Sequence, residues 1–198
     1  MIKYIFFDVA GVLINFRLQE TIKEYEHSHG FKMGEIYAGL HDENYWQDFS
    51  LGLITEKEFC IQTQKRVEYS FDYHDLKKFL LKSSSANQEL LTYLSSLVKN
   101  YKLGIISNSP KEWFEYFESN YFNKEFFSIK AISCFLHARK PSKEIFLKAI
   151  KMANIKPEEA VYVDNRLEMT KSALNLGMKI IIYNNFDKFK SDLDLLIK

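Results

Sequence analysis

The amino-acid sequence predicts an α/β protein: a doubly wound parallel sheet, interrupted near its start by an inserted helical block. Three observations carry this expectation. Apolar runs suited to strands buried on both faces occur at residues 5–7, 103–106 and 160–163, and each ends in small polar or acidic residues. Amphipathic helical patterns separate such runs after residue 86, the alternation that parallel β–α units require. Between residues 15 and 85, by contrast, the spacing of apolar residues is helical throughout.

In chain order, the first strand runs into Asp8, and Gly11 follows closely, where tight backbone geometry and close approach of a ligand become possible. Residues 19–30 are polar and helical, with Ile22, Tyr25 and Glu26 on one spacing and Gly30 as a stop. Residues 33–40 and 44–49 are short helical candidates. Tyr45, Trp46 and Phe49 form an apolar face in the second, better suited to a helix-bundle core than to substrate contact. Thr55 with Glu58 three residues on is a capping box, opening a helix that extends to about residue 69. A further helix at 75–82 has Leu76, Phe79 and Leu80 on one stripe, and 83–87 reads as a loop closing the insert.

The sheet then resumes. A helix at 88–100 feeds the strand at Leu103, and Pro110 suits the first turn of a helix over 111–120 with Trp113, Phe114 and Phe117 inward. Residues 131–133 suit a short edge strand. Ile145, Phe146, Ala149 and Ile150 mark the core face of a helix at 142–153. Pro157 breaks the chain before the strand at Ala160, Gly177 stops a helix over 167–176, and 179–183 is a final strand.

Composition bounds the function. The chain has 198 residues, 46% hydrophobic and 27% charged, as an ordinary globular protein does. A net charge of +1 gives no electrostatic case for nucleic acid or an anionic membrane. Cys60 and Cys134 stand far apart in no metal-binding spacing, which suits buried free thiols in a reducing compartment. No apolar run approaches the roughly 20 residues that span a bilayer, and the first residues read as a strand rather than a signal peptide. A cytoplasmic protein is the expectation; oligomeric state is left open. The five histidines have no zinc spacing, and His41 in the insert is the one to watch.

In open parallel sheets ligands bind beyond the carboxyl ends of the strands. Asp8, Ser107-Asn108-Ser109-Pro110 and Asp164-Asn165 therefore converge on one edge, and Arg139-Lys140-Pro141 adds a cation held out of helix by the following proline. Taken alone, Asp8 starts a turn as readily as it does chemistry.

Together, in this order, these stretches resemble the four motifs of the haloacid dehalogenase-like (HAD) hydrolase superfamily. The resemblance implies a Rossmann-like core over 1–14 and 86–198 and a C1-type helical cap over 15–85. It further implies a Mg²⁺-dependent phosphatase acting on a small phosphorylated metabolite, in which Asp8 forms an aspartyl-phosphate. Asp8, Asp164 and the backbone carbonyl of Ala10 would hold the cation. Ser107, Asn108 and the adjacent backbone would bind the phosphoryl group, and Lys140 would neutralise developing charge. Two positions depart from the family's pattern. Ala10 stands where phosphatases usually carry a second aspartate as general acid and base, and Asn165 where many relatives have an acidic residue. Alternative readings are a silenced or engineered-inactive relative that binds a ligand or partner, and a metal-independent 2-haloacid dehalogenase, which would also use Asp8.

Overall fold

The structure, a computed structural model, describes residues 1–40, 43–67 and 70–197. Strand β1 (Tyr4–Phe7) lies at the centre of a parallel sheet. On one side it is flanked by β4 (Lys102–Ser107) and then β5 (Phe127–Ile132), on the other by β6 (Ala160–Asp164) and then β7 (Lys179–Ile182). Ile5 pairs in register with Leu103 and Val161, and Phe7 with Ile105 and Val163. Because strand side chains alternate between faces, the runs divide into two cores. Ile5, Phe7, Leu103, Ile105, Val161 and Val163 pack on one side, and Tyr4, Phe6, Ile106 and Tyr162 on the other. This is why the strands read as unbroken apolar runs.

Helices cover both faces, so the sheet is doubly wound. The first core is closed by Leu90 and Leu94 of α6 (Gln88–Leu97) and by Trp113 and Phe117 of α7 (Lys111–Tyr121), with Phe189 and Leu193 of α11 (Phe186–Ile197). The second is closed by Ile145, Phe146 and Ala149 of α9 (Lys143–Ala153) and Ala173 of α10 (Leu167–Leu176). Each of the larger side chains contributes about 1.5–3 kcal/mol by leaving water. Helix α11 is not among the sequence-based expectations, and β5 begins earlier than the short edge strand at 131–133.

The helical insert leaves and rejoins the sheet through a neck. Strands β2 (Ile14–Asn15) and β3 (Ser85–Ala86) pair antiparallel, so the segment expected as a plain loop at 83–87 contains a strand. Its partner lies some 70 residues away, which no local pattern reports. Between the two strands come α1 (Leu18–Ser28), α2 (Glu35–Leu40), α3 (Glu43–Ser50), α4 (Glu56–Gln64) and α5 (Tyr73–Lys82). Glu26, a charge on the buried face of α1, accepts hydrogen bonds from the backbone of Gly34, Ile36 and Tyr37 and so satisfies the start of α2. The Thr55–Glu58 capping box forms in both directions. Helix α4 stops at Gln64, earlier than expected; residues 68 and 69, and His41, lie outside the described residues.

The insert is tied to the core by the turn after α3. Ser133, which opens α8 (Ser133–Leu136), donates to the Ser50 carbonyl and accepts from the Ser109 N–H, and the His137 ring donates from Nδ1 to the Leu51 carbonyl. Gly52, at φ +69°, sits where a Cβ would meet the Cys134 carbonyl at 2.6 Å. Among the described residues no helix is long and apolar enough to cross a membrane.

Candidate active site

Strand β1 delivers Asp8 to the carboxyl edge of the sheet, where its backbone N–H still pairs with the Val163 carbonyl at 2.9 Å. Its side chain is 4% exposed. Oδ1 accepts from the Val9 N–H at 2.8 Å and from the Ser107 hydroxyl at 2.7 Å, and lies 2.9 Å from Lys140 Nζ. Among the described residues Oδ2 takes no hydrogen bond. One oxygen is thus clamped, while the other retains its lone pairs.

Lys140 Nζ sits between two carboxylates. Besides Asp8 it donates to Asp164 Oδ2 at 2.7 Å and to the Tyr162 hydroxyl at 2.8 Å, and its side chain is fully buried. Tyr162 in turn donates to Asp164 Oδ2 at 2.5 Å, and the Arg166 N–H donates to Asp164 Oδ1 at 2.9 Å. Both Asp164 oxygens are therefore engaged. Tyr162 was not singled out from the sequence. The available signal was a polar-tipped ring two residues before Asp164, hence on the same face of β6.

Asn108 holds the loop that carries the lysine. Its amide accepts from the Lys140 N–H at 2.8 Å and donates to the Lys140 carbonyl at 2.9 Å, as a neighbouring strand would. The side chain expected to bind substrate is thus already engaged with backbone. The backbone N–H groups of Ala10 and Asn108, by contrast, make no hydrogen bond among the described residues.

These groups border a cavity of about 400 Å³. Asp8, Ala10, Ser107, Asn108 and Lys140 line it, as expected, and Asp164 does not. The expectation that Asp164 ligates a cation meets a carboxylate turned onto the Tyr162 face of the sheet and bonded to Lys140. From the fourth motif it is Asn165 that borders the cavity, close over Gly11, where a Cβ would run into its amide. Gly11 also needs its φ of +81°. Trp46, Trp113 and Phe16 form an aromatic side of the cavity, with rings in edge contact at 5.5 and 5.9 Å. Trp46 therefore borders the cavity as well as packing, whereas Phe49 is core.

Two buried carboxylates share one ammonium, so the Asp8–Lys140–Asp164 cluster carries one negative charge in excess when both are ionised. Burial raises the Asp8 carboxyl above its ordinary value and Asp164 pushes it the same way, while Lys140 and the Ser107 hydroxyl act to lower it. Mg²⁺ takes hard oxygen donors. Asp8, the Ala10 carbonyl, which takes none of the turn's hydrogen bonds, and the Asn165 amide oxygen make a donor set that fits it. Elsewhere the thiols are quiet: burial pushes Cys60 up to about 12 and Cys134 up to about 11. Lys111 is exposed, 3.9 Å from Glu115, and does not border this cavity.

Comparison with known proteins agrees with the geometry. The haloacid dehalogenase-like hydrolase family matches residues 2–177. The chain is 27% identical over 155 residues to the chloroplast flavin mononucleotide hydrolase 1 of Arabidopsis thaliana, covering 75% of this chain and 60% of that protein. It is 34% identical over 129 residues to the glyceraldehyde 3-phosphate phosphatase of Pyrococcus furiosus, covering 64% and 51%. The chain thus spans between half and three-fifths of the length of these relatives. In fold it resembles a HAD family enzyme of Bacteroides thetaiotaomicron solved with magnesium and inorganic phosphate, at a TM-score of 0.79 and 21% identity over 96% of this chain and 99% of that one. With four motifs meeting at one sheet edge and a family match along most of its length, the chain belongs to the haloacid dehalogenase-like hydrolases.

Proposed function

We propose that the protein is a Mg²⁺-dependent phosphatase of a small phosphorylated metabolite, with Asp8 as nucleophile. The observation that carries this reading is the asymmetry of Asp8: one oxygen clamped by Val9, Ser107 and Lys140, the other unbonded beside a cavity. A carboxylate held this way is aimed and needs little reorganisation before attack. The free N–H groups of Ala10 and Asn108, the Ser107 hydroxyl and Lys140 surround the position a phosphoryl group would take and match its charge. The phosphatase names among the relatives, and the magnesium and phosphate bound by the structural neighbour, support the same chemistry.

In the first step an Asp8 oxygen bonds to phosphorus, and the bond from phosphorus to the leaving oxygen breaks. Lys140 and Ser107 hold the charge on Asp8 and on the phosphoryl oxygens. Water then cleaves the acyl-phosphate and restores Asp8. Bound Mg²⁺, held by Asp8, the Ala10 carbonyl and Asn165, would cancel charge between the phosphate and Asp8. Asp164 acts through Lys140, which it and Tyr162 hold in place. Ala10 brings no proton to the leaving oxygen, so turnover depends on solvent and is slowest for alkyl leaving groups. We read residues 15–85 as the cap that sets specificity over a core of 1–14 and 86–198.

The test is phosphate release from a metabolite panel with Mg²⁺, including flavin mononucleotide and glyceraldehyde 3-phosphate, beside halide release from 2-haloacids in chelator. Metal-dependent phosphate release that disappears in Asp8→Asn supports the reading; halide release without metal overturns it. Ala10 favours one second reading, a ligand-binding relative without turnover. It predicts heat stabilisation by phosphate and Mg²⁺ with hydrolysis at background.

A further inference from the structure

Two arginines at the cavity have no role in the chemistry above. Arg139 precedes Lys140, and the paired Asn108–Lys140 hydrogen bonds anchor its backbone. Its Nε is shut off from solvent with no hydrogen-bond partner, and among the described residues Arg139 is in no ion pair. Arg166 follows Asn165, and its N–H is anchored on Asp164. Its nearest carboxylate is Glu168 at 3.9 Å, with both side chains about half exposed, a contact worth little in water. Both arginines border the cavity that holds Asp8. Burial, and next the charge of Arg166, lower the Arg139 guanidinium below its ordinary value. Two cations border one cavity, one of them half-buried and in no ion pair among the described residues, the other paired only with the half-exposed Glu168.

Room for such an anion adjoins the site. A second hollow of about 450 Å³ shares Trp46, Arg139, Lys140 and Met169 with the catalytic cavity. A leaving group attached to phosphorus at Asp8 can extend past Arg139 into it. Guanidinium groups bind carboxylates and phosphates through paired, charge-assisted hydrogen bonds, which makes them suited to read a second anionic group.

Resting on the phosphatase reading, we infer that Arg139 and Arg166 form a second anion subsite. The substrate is then a phosphate monoester whose leaving group itself carries a carboxylate or a further phosphate. A neutral leaving group leaves the pair unoccupied, so the subsite discriminates between substrates rather than taking part in bond cleavage.

Non-hydrolysable phosphonates test this without turnover. Calorimetric titration in Mg²⁺ compares propylphosphonate with 3-phosphonopropionate and with propane-1,3-bisphosphonate, which add a carboxylate or a second phosphonate to the same stem. The expected result is binding at least about tenfold tighter for one or both doubly anionic ligands, as one charge-assisted contact provides. Arg139→Gln and Arg166→Gln should each reduce that ratio toward one. Arg166 is exposed, so its variant keeps the fold even where Arg139→Gln does not. Equal affinities in the unmodified protein, or a ratio unchanged in Arg166→Gln, overturn the inference. Whichever added anion binds tighter identifies the second group. Absence of phosphate release from the metabolite panel would count against the phosphatase reading while leaving this ratio measurable.

Discussion

Asp8 and Asp164 stand at the ends of neighbouring parallel strands, both behind apolar runs, both buried and both within 3 Å of the same ammonium. Their situations differ all the same. Asp164 has both oxygens bonded, to Lys140 and Tyr162 on one side and the Arg166 N–H on the other. Asp8 keeps an unbonded oxygen at the cavity and carries the burial penalty with it. One carboxylate has its hydrogen-bonding capacity taken up, and the other keeps an open oxygen, as the proposed nucleophile needs. Identical local sequence grammar thus yields one carboxylate bonded at both oxygens and one bonded at a single oxygen. Both lie on the Phe6 and Tyr162 side of the sheet, and the difference is that Tyr162 and the Arg166 N–H reach only Asp164.

Asp8→Asn sharpens this contrast most. Phosphate release should fall by at least about 10³-fold, since an amide oxygen cannot form the acyl-phosphate. Thermal stability should hold or rise, because a desolvated charge is removed from the cavity. Activity within a few-fold of the unmodified enzyme would rule out Asp8 as nucleophile. Ala10→Asp works in the opposite direction. A proton donor at this position should raise hydrolysis of an alkyl phosphate by about 10²–10⁴-fold, and p-nitrophenyl phosphate, a better leaving group, by far less. Equal gains on both esters would show that something other than protonation of the leaving oxygen limits the rate.

Asp164→Asn should act first on stability. Both Asp164 oxygens accept, so the amide nitrogen of an asparagine would face a donor, either Lys140 and Tyr162 or the Arg166 N–H. This costs about 1–3 kcal/mol, measurable by denaturant unfolding, with activity falling as Lys140 loses support. A fold as stable as the unmodified one would make the two carboxylates equivalent after all. The smallest effect lies far from the sheet edge. Thr55→Ala should cost about 1 kcal/mol through loss of the α4 cap. Its partner Glu58 is held below the usual carboxyl value by the Thr55 N–H and hydroxyl. A depressed carboxyl stabilises above its unfolded value of about 4.3, and this is lost as pH falls through the folded value. Protection against hydrogen exchange at the start of α4, taken relative to the intrinsic rate at each pH, should therefore drop in acid in the unmodified protein, and much less so in Thr55→Ala.

Where the sequence was legible, the signal was local. Strand runs, helical stripes, the Thr55–Glu58 box and the Gly177 stop depend on neighbours within a few residues, and apolar content sets which faces are buried. The convergence of Asp8, Ser107 and Lys140 could also be expected, because parallel strands share one carboxyl edge. Other features depend on partners brought together by strand order. Ser85 and Ala86 become a strand because Ile14 and Asn15 lie alongside. Asn108 spends its amide on the Lys140 backbone, across 32 residues of chain.

What the sequence by itself determined is the α/β layering, the helical insert and the set of residues at the reactive edge. Periodicity and burial are enforced wherever the chain sits. The tertiary structure alone decided how those residues divide their work. Alternation along β6 turns Asp164 to the face of Tyr162, onto which the loop before α9 lowers Lys140, while Asn165, one residue on, borders the cavity. It also brought Arg139 and Arg166, 27 residues apart in the chain, to the border of that same cavity. Such pairings follow from the crossing of distant segments, and hydrogen bonds of this kind are set by ångström-scale geometry that no spacing along the chain encodes.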